Sequence, residues 1–213
     1  MIAYAHAALP LVEEARPSPS PKVHGDGRLD ETLCAQLIAQ IKAGDLVAFD
    51  RLYRHTREDV ARTLFHLVGR NAEVEDLLQD TYVRLLKAVK GFRGECTFRT
   101  FLYRVCANVA LSHLRWRRRR PEDPCDVLPD AECPHRTPEQ EAQRTEAIAL
   151  VQAALEKLSP KKRIVFVYHQ LCGMGPEEIA ETVGTSVNTV RSRLHHARLE
   201  FHEAIQRRVG RTA

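Results

Sequence analysis

Residues 173–198 read GMGPEEIAETVGTSVNTVRSRLHHAR, and their register is that of two helices joined by a sharp turn. Ala180 is small where two helices must cross closely, and Gly184, four residues later, falls where the turn requires positive φ. Val190 comes six residues beyond that, on the buried side of the second helix. The exposed side then carries Asn188, Thr189, Arg191, Ser192, His195 and His196. These are the hydrogen-bonding and cationic types that read base edges and phosphates in a major groove. An ordinary αα-hairpin shares the small, glycine and apolar offsets. A merely solvated helix, however, mixes acids with bases, and residues 191–198 contain no acid. The expectation is a helix-turn-helix that binds duplex DNA.

Working outward, the hydrophobic period remains helical and strand signal is scarce. Ile148, Val151, Leu155 and Leu158 form one helix face, and Ser159-Pro160 reads as an N-cap followed by an N1 proline ahead of a helix over 164–171. Upstream, Leu33, Leu37, Ile38 and Ile41 make an amphipathic series closed by Gly44. A second helix is expected over 48–68 and a third over 74–90, the latter with Val74, Leu77, Leu78, Leu85, Leu86 and Val89 inward. Phe98, Phe101, Leu102, Val105 and Val109 recur at i, i+3, i+4, i+7 and i+11, which predicts a long helix running into the arginines of 115–120. Between the two helical blocks lie Pro121, Pro124, Pro129, Pro134 and Pro138 with acids among them, a flexible linker. The fold expected is all-α: a disordered, Pro/Ser-rich extension over 1–28, a helical domain over 29–120, the acidic linker over 121–138, and the helix-turn-helix domain over 139–213.

Net charge is only +4, but its distribution is uneven. Residues 121–147 hold eight acids against two arginines, whereas residues 148–213 hold ten Lys/Arg against six acids, and RWRRRR at 115–120 is the densest basic cluster. Two basic segments flanking an acidic connector suggest two DNA-facing modules. The six cysteines contain no CxxC pair, so zinc-finger and thioredoxin readings lack support, and Cys34 and Cys106 fall in apolar-periodic stretches as small core residues. Cys125, Cys133 and His135 lie together in the connector at a spacing that matches no structural zinc pattern, so no metal and no cofactor is expected. The N-terminus lacks the basic start and unbroken apolar run of a signal peptide, and no stretch has the roughly 20 apolar residues of a membrane span. A cytoplasmic protein without direct membrane insertion is expected.

No glycine-rich phosphate loop, nucleophile elbow or HExxH appears, and the chain is expected not to be an enzyme. Binding features take its place. Asp76, Asp80, Val83 and Lys87 line one edge of the third helix, with Gln79 beside them, opposite the leucines; the stripe is either a solvated surface or a partner face. Aromatics and arginines alternate through Phe92, Arg93, Phe98, Arg99, Phe101, Tyr103, Arg104 and Trp116. Rings beside cations on an exposed edge suit unstacked single-stranded bases. Phe101 reads as core, and Phe98 and Tyr103 are open to the same reading. Asn108 is either a close-approach position beside Ala107 and Ala110 or a buried, satisfied amide.

DLLQDTYVRLLKAVKGFRGE (76–95) followed by TFRTFLYRVCANVALSHLRWRRRR (97–120) resembles region 2 of a bacterial RNA polymerase sigma factor, and EKLSPKKRIVFVYHQLCGMGPEEIAETVGTSVNTVRSRLHHAR (156–198) resembles region 4. Two such regions joined by a short linker resemble the extracytoplasmic-function (ECF) class. That resemblance implies core RNA polymerase, promoter DNA and an anti-sigma factor as partners. It implies that Asp76, Gln79 and Asp80 dock on the clamp coiled coil of the polymerase. Phe92 and Asn108 would lie around the pocket for a base flipped from the melted −10 element, with Arg93 and Arg104 near that strand. Asn188, Thr189, Arg191, Ser192, His195 and His196 would face the −35 duplex, and Lys161, Lys162 and Arg163, at the start of a helix, could bind phosphates. The sequence departs from the pattern at Gly175, where the family usually has a Ser or Thr N-cap, and at the His195-His196 pair. The alternative class is a helix-turn-helix regulator that acts without polymerase.

Overall fold

A computed structural model of the chain describes residues 31–69, 71–119 and 138–210. Among the described residues all regular structure is helical: α1 (Glu31–Lys42), α2 (Leu46–Val68), α3 (Asn71–Ala88), α4 (Phe98–Arg119), α5 (Pro138–Lys157), α6 (Pro160–Gln170), α7 (Pro176–Val183) and α8 (Val187–Val209), with a 3-10 turn Val89–Gly91 after α3. The segments 1–28 and 121–137 assigned to the extension and linker, with Cys125, Cys133 and His135, lie outside the described residues.

The helix ends follow from local chemistry. Asp45 caps α2, its carboxylate accepting from the backbone N–H of Val47 at 2.8 Å and of Ala48 at 3.2 Å. The expected start at 48 therefore moves back to Leu46, and Leu46 and Val47 stand exposed in that first turn. Asn71 opens α3 three residues before the expected position, because Gly69 at φ +79 ends α2 in a single left-handed residue. In α1 the buried series is Cys34, Leu37, Ile38 and Ile41; Leu33, expected inward, points out. The i, i+3, i+4, i+7 phase is satisfied by the cysteine instead.

α2, α3 and α4 pack around Leu52, Val60, Leu64, Leu78, Leu85, Cys106 and Val109, all nearly inaccessible. Each fully buried aliphatic of this kind contributes about 1.5–3 kcal/mol. The second block forms around Leu155, Leu158, Ile164, Val167, Ile179, Val190 and Leu194. α6 begins at Pro160, with Ser159 at the N-cap position but its hydroxyl making no capping bond.

The two blocks are also packed on each other, which the sequence pattern did not predict. α2 meets α5 and α6, and α4 meets α6 and α7, so the buried residues of both blocks form one continuous cluster. Tyr168, fully buried on α6, donates its hydroxyl to the carbonyl of Tyr103 on α4 at 2.6 Å, and the two rings meet edge to face at 5.4 Å. Gly69 sits at the same junction. Its left-handed φ of +79 is the reason for glycine there.

Candidate nucleic-acid interface

α7 and α8 are joined by the three residues 184–186. Gly184 adopts φ +66, and the N–H groups of Gly184 and Thr185 both bond to the Ala180 carbonyl. Ala180 and Val190 are buried between the helices, as their offsets from Gly184 require. Ser186 caps α8 by accepting from the Thr189 N–H at 3.2 Å. Gly175 takes the N-cap position of α7 without a side-chain bond, and Pro176 supplies the preset φ of the first turn. This scaffold leaves Asn188, Arg191, Ser192, His195 and His196 exposed, with Thr189 half-exposed. Arg191 is held by Glu177 at 2.9 Å, a solvent-exposed pair worth little in stability but able to orient the guanidinium.

On α3, Asp76, Gln79, Val83 and Lys87 are exposed and Asp80 half-exposed, while Leu77, Leu78 and Leu85 are buried behind them. Asp80 accepts from Arg84 at 2.8 Å. Val83 places an exposed apolar residue in the middle of the acidic stripe.

The face of α4 is divided. Phe98 and Tyr103 are buried, so they belong to the core rather than to an exposed aromatic edge. Phe92, just after the 3-10 turn, lies half-exposed with its ring 4.7 Å from Phe101, and the Lys42 ammonium reaches its carbonyl. Arg93 and Asn108 are exposed, the latter against the buried alternative. Arg104, one turn before Asn108, is half-exposed and donates to the Glu181 carbonyl of α7 at 3.0 Å.

Arg163 does not serve as a phosphate-binding group at an exposed helix start. It is buried and donates to the Leu67 carbonyl at 2.7 Å, to Glu156 O at 3.2 Å and to Leu158 O at 3.4 Å. Burial lowers its pKa, partly offset by the charge of Glu156. Lys162 pairs with Glu200 at 2.5 Å, which leaves only Lys161 of the triplet exposed. The register carried this signal: Arg163 lies four residues before Val167, on the apolar side of α6. Arg104, Arg163 and Tyr168, together with Arg99, which donates to the Cys172 carbonyl, are among the residues that join the blocks, and composition gives no hint of that role.

Burial raises the pKa of Cys106 and of Cys172, and Cys34 is also buried. Among the described residues no cluster of three or more His, Cys, Asp or Glu could hold a metal ion, and no helix is long and apolar enough to cross a membrane.

Residues 52–120 match the family description Sigma-70 region 2, and residues 148–201 match Sigma-70, region 4. The RNA polymerase sigma-H factor of Pseudomonas aeruginosa is 31% identical over 179 residues, covering 80% of this chain and 93% of that protein. The ECF RNA polymerase sigma-E factor of Haemophilus influenzae is 32% identical over 178 residues, covering 80% and 94%. Among solved structures, CnrH in complex with the cytosolic domain of CnrY aligns with a TM-score of 0.63 and 25% identity, over 83% of this chain and 98% of that one. The sigma factor RpoE, in complex with the anti-sigma factor NepR from Bartonella quintana, shares the fold at a TM-score of 0.58 and 18% identity, over 74% and 96%. The chain belongs to the RNA polymerase sigma factors, in the ECF class.

Proposed function

We propose that this chain joins core RNA polymerase in the cytoplasm and gives it promoter selectivity. Residues 139–213 set α8 on the −35 duplex, and residues 29–120 capture unpaired bases of the −10 element. The observation that carries the reading is the coexistence of two separate polar faces in one chain that matches both sigma regions: the exposed acid-free face of α8 and the exposed acidic stripe of α3.

Asn188, Thr189, Arg191, Ser192, His195 and His196 read base edges and phosphates. Phe92, Arg93, Arg104 and Asn108 receive the single strand, the ring by stacking and the guanidiniums through phosphates. Asp76, Gln79 and Asp80 dock on the polymerase clamp, with Val83 supplying apolar contact among them. The chain itself performs no chemistry. Its binding energy shifts duplex toward the open form, because flipped bases gain contacts that only the melted state offers. Binding of one block raises the effective concentration of the other at its own element. An anti-sigma factor, the type of partner bound to RpoE of Bartonella quintana, is the expected antagonist.

Charge reversal tests the docking assignment. The double variant Asp76→Lys, Asp80→Lys loses only an exposed ion pair to Arg84, so it remains folded. It is expected to lose core polymerase in co-purification, while its duplex binding through α8 is unchanged. Normal polymerase recovery would remove α3 from the interface.

A further inference from the structure

Phe92 opens the irregular stretch 92–97 that links the 3-10 turn to α4, yet both of its backbone polar groups are engaged. Its N–H donates to the Val89 carbonyl at 3.1 Å, and its own carbonyl accepts from the ammonium of Lys42, the last residue of α1. That ammonium also stands 6.0 Å from the centroid of the Phe92 ring, which in turn meets the Phe101 ring at 4.7 Å. The lysine stem is aimed by a packed helix. Leu37, Ile38 and Ile41 of α1 are buried, and α1 lies against both the 3-10 turn and α4. Lys42 falls outside residues 52–120, which match Sigma-70 region 2.

A carbonyl in an exposed loop ordinarily bonds to water, which holds the chain nowhere in particular. An ammonium carried by a packed helix holds the peptide after Phe92 at one place, and the ring with it. We propose that Lys42 is a positioning residue for the −10 strand: it pre-sets the Phe92 ring against Phe101, so that an unpaired base stacks on a surface already in place. The inference rests on the reading of Phe92 as a strand contact. A ring on an untethered loop must be ordered as the base arrives, and that ordering subtracts from the gain in stacking. The lysine acts through Phe92 and not by taking a phosphate itself.

The test combines core RNA polymerase with the full chain and scores run-off transcription from a random promoter pool. The chains compared are wild type, Lys42→Met, Lys42→Arg, Phe92→Leu and the double variant Lys42→Met, Phe92→Leu. Lys42→Met keeps an apolar stem, and the bond it loses is solvent-exposed, so the fold persists. It is expected to lower transcript yield about five-fold, the worth of one net hydrogen bond, and by the same factor at low and high salt. Lys42→Arg restores a cationic donor and should recover yield to within about two-fold of wild type. Phe92→Leu should lower yield by itself, and adding Lys42→Met should lower it no further, because the two residues act as one unit. A Lys42→Met loss that fades as salt rises identifies a direct phosphate contact and overturns the positioning role. Losses that add in full in the double variant, or that merely follow lost core polymerase in co-purification, overturn it as well. Unchanged yield in Lys42→Met beside a weakened Phe92→Leu counts against Lys42 alone. Unchanged yield in Phe92→Leu removes Phe92 from the strand, and this inference falls with that reading.

Discussion

His169 illustrates how single positions set the limits of this fold. On α6 it is partly buried beside Arg198, and burial first, then that positive charge, lowers its pKa, with Gln170 opposing. A histidine whose folded pKa lies below its unfolded value of about 6.5 binds its proton more readily in the unfolded chain. Stability is therefore fully present above that value and is lost as pH falls through the depressed folded one. Thermal melts between about pH 7 and 5 should show this loss in the wild type and a flatter profile in His169→Gln. An unchanged slope would show that His169 is not the responsible group. Ser186 supplies a second residue-scale prediction. Its hydroxyl caps α8 through the Thr189 N–H, so Ser186→Ala should lower unfolding free energy by about 1 kcal/mol in urea titrations. A loss within experimental error would mean that solvent replaces the cap.

At the scale of elements, α7 and α8 were legible because three spaced residues fix the motif: Ala180, Gly184 and Val190 each have one structural use, and they occupy those positions. The two helices on either side of Gly184 run over Pro176–Val183 and Val187–Val209, with the turn where the glycine requires it. Other boundaries moved where capping outweighed hydrophobic period, as Asp45 did for α2 and Gly69 did for α3. The Lys161-Lys162-Arg163 triplet was misread because charge is an exposed property only by default. A guanidinium can be buried when three carbonyls receive it, and here one of them, Leu67 O, comes from the distant α2, which local sequence does not reveal. Of the candidate site residues, exposure was foreseen at Asn188, Arg191, Ser192, His195 and His196, but the Arg104 contact to Glu181 O was not. The α8 face carries its own prediction. Arg191→Ala should weaken duplex binding and reduce the slope of log affinity against log salt by about one phosphate contact. Titrations by anisotropy at several salt concentrations measure it, and an unaltered slope would place Arg191 away from the backbone.

At the scale of the whole molecule, one chain carries two exposed polar faces on two helical blocks that pack on each other. The α3 stripe and the α8 face are both solvent-exposed, whereas Arg104 of α4 contacts the last turn of α7. The account is tested most directly by run-off transcription from a random promoter pool with purified core RNA polymerase and the wild-type chain. Transcripts should appear only when the chain is added, from templates sharing two conserved elements at fixed spacing, and should vanish with Asp76→Lys, Asp80→Lys. Core enzyme that gains no initiation at any template would contradict the central claim.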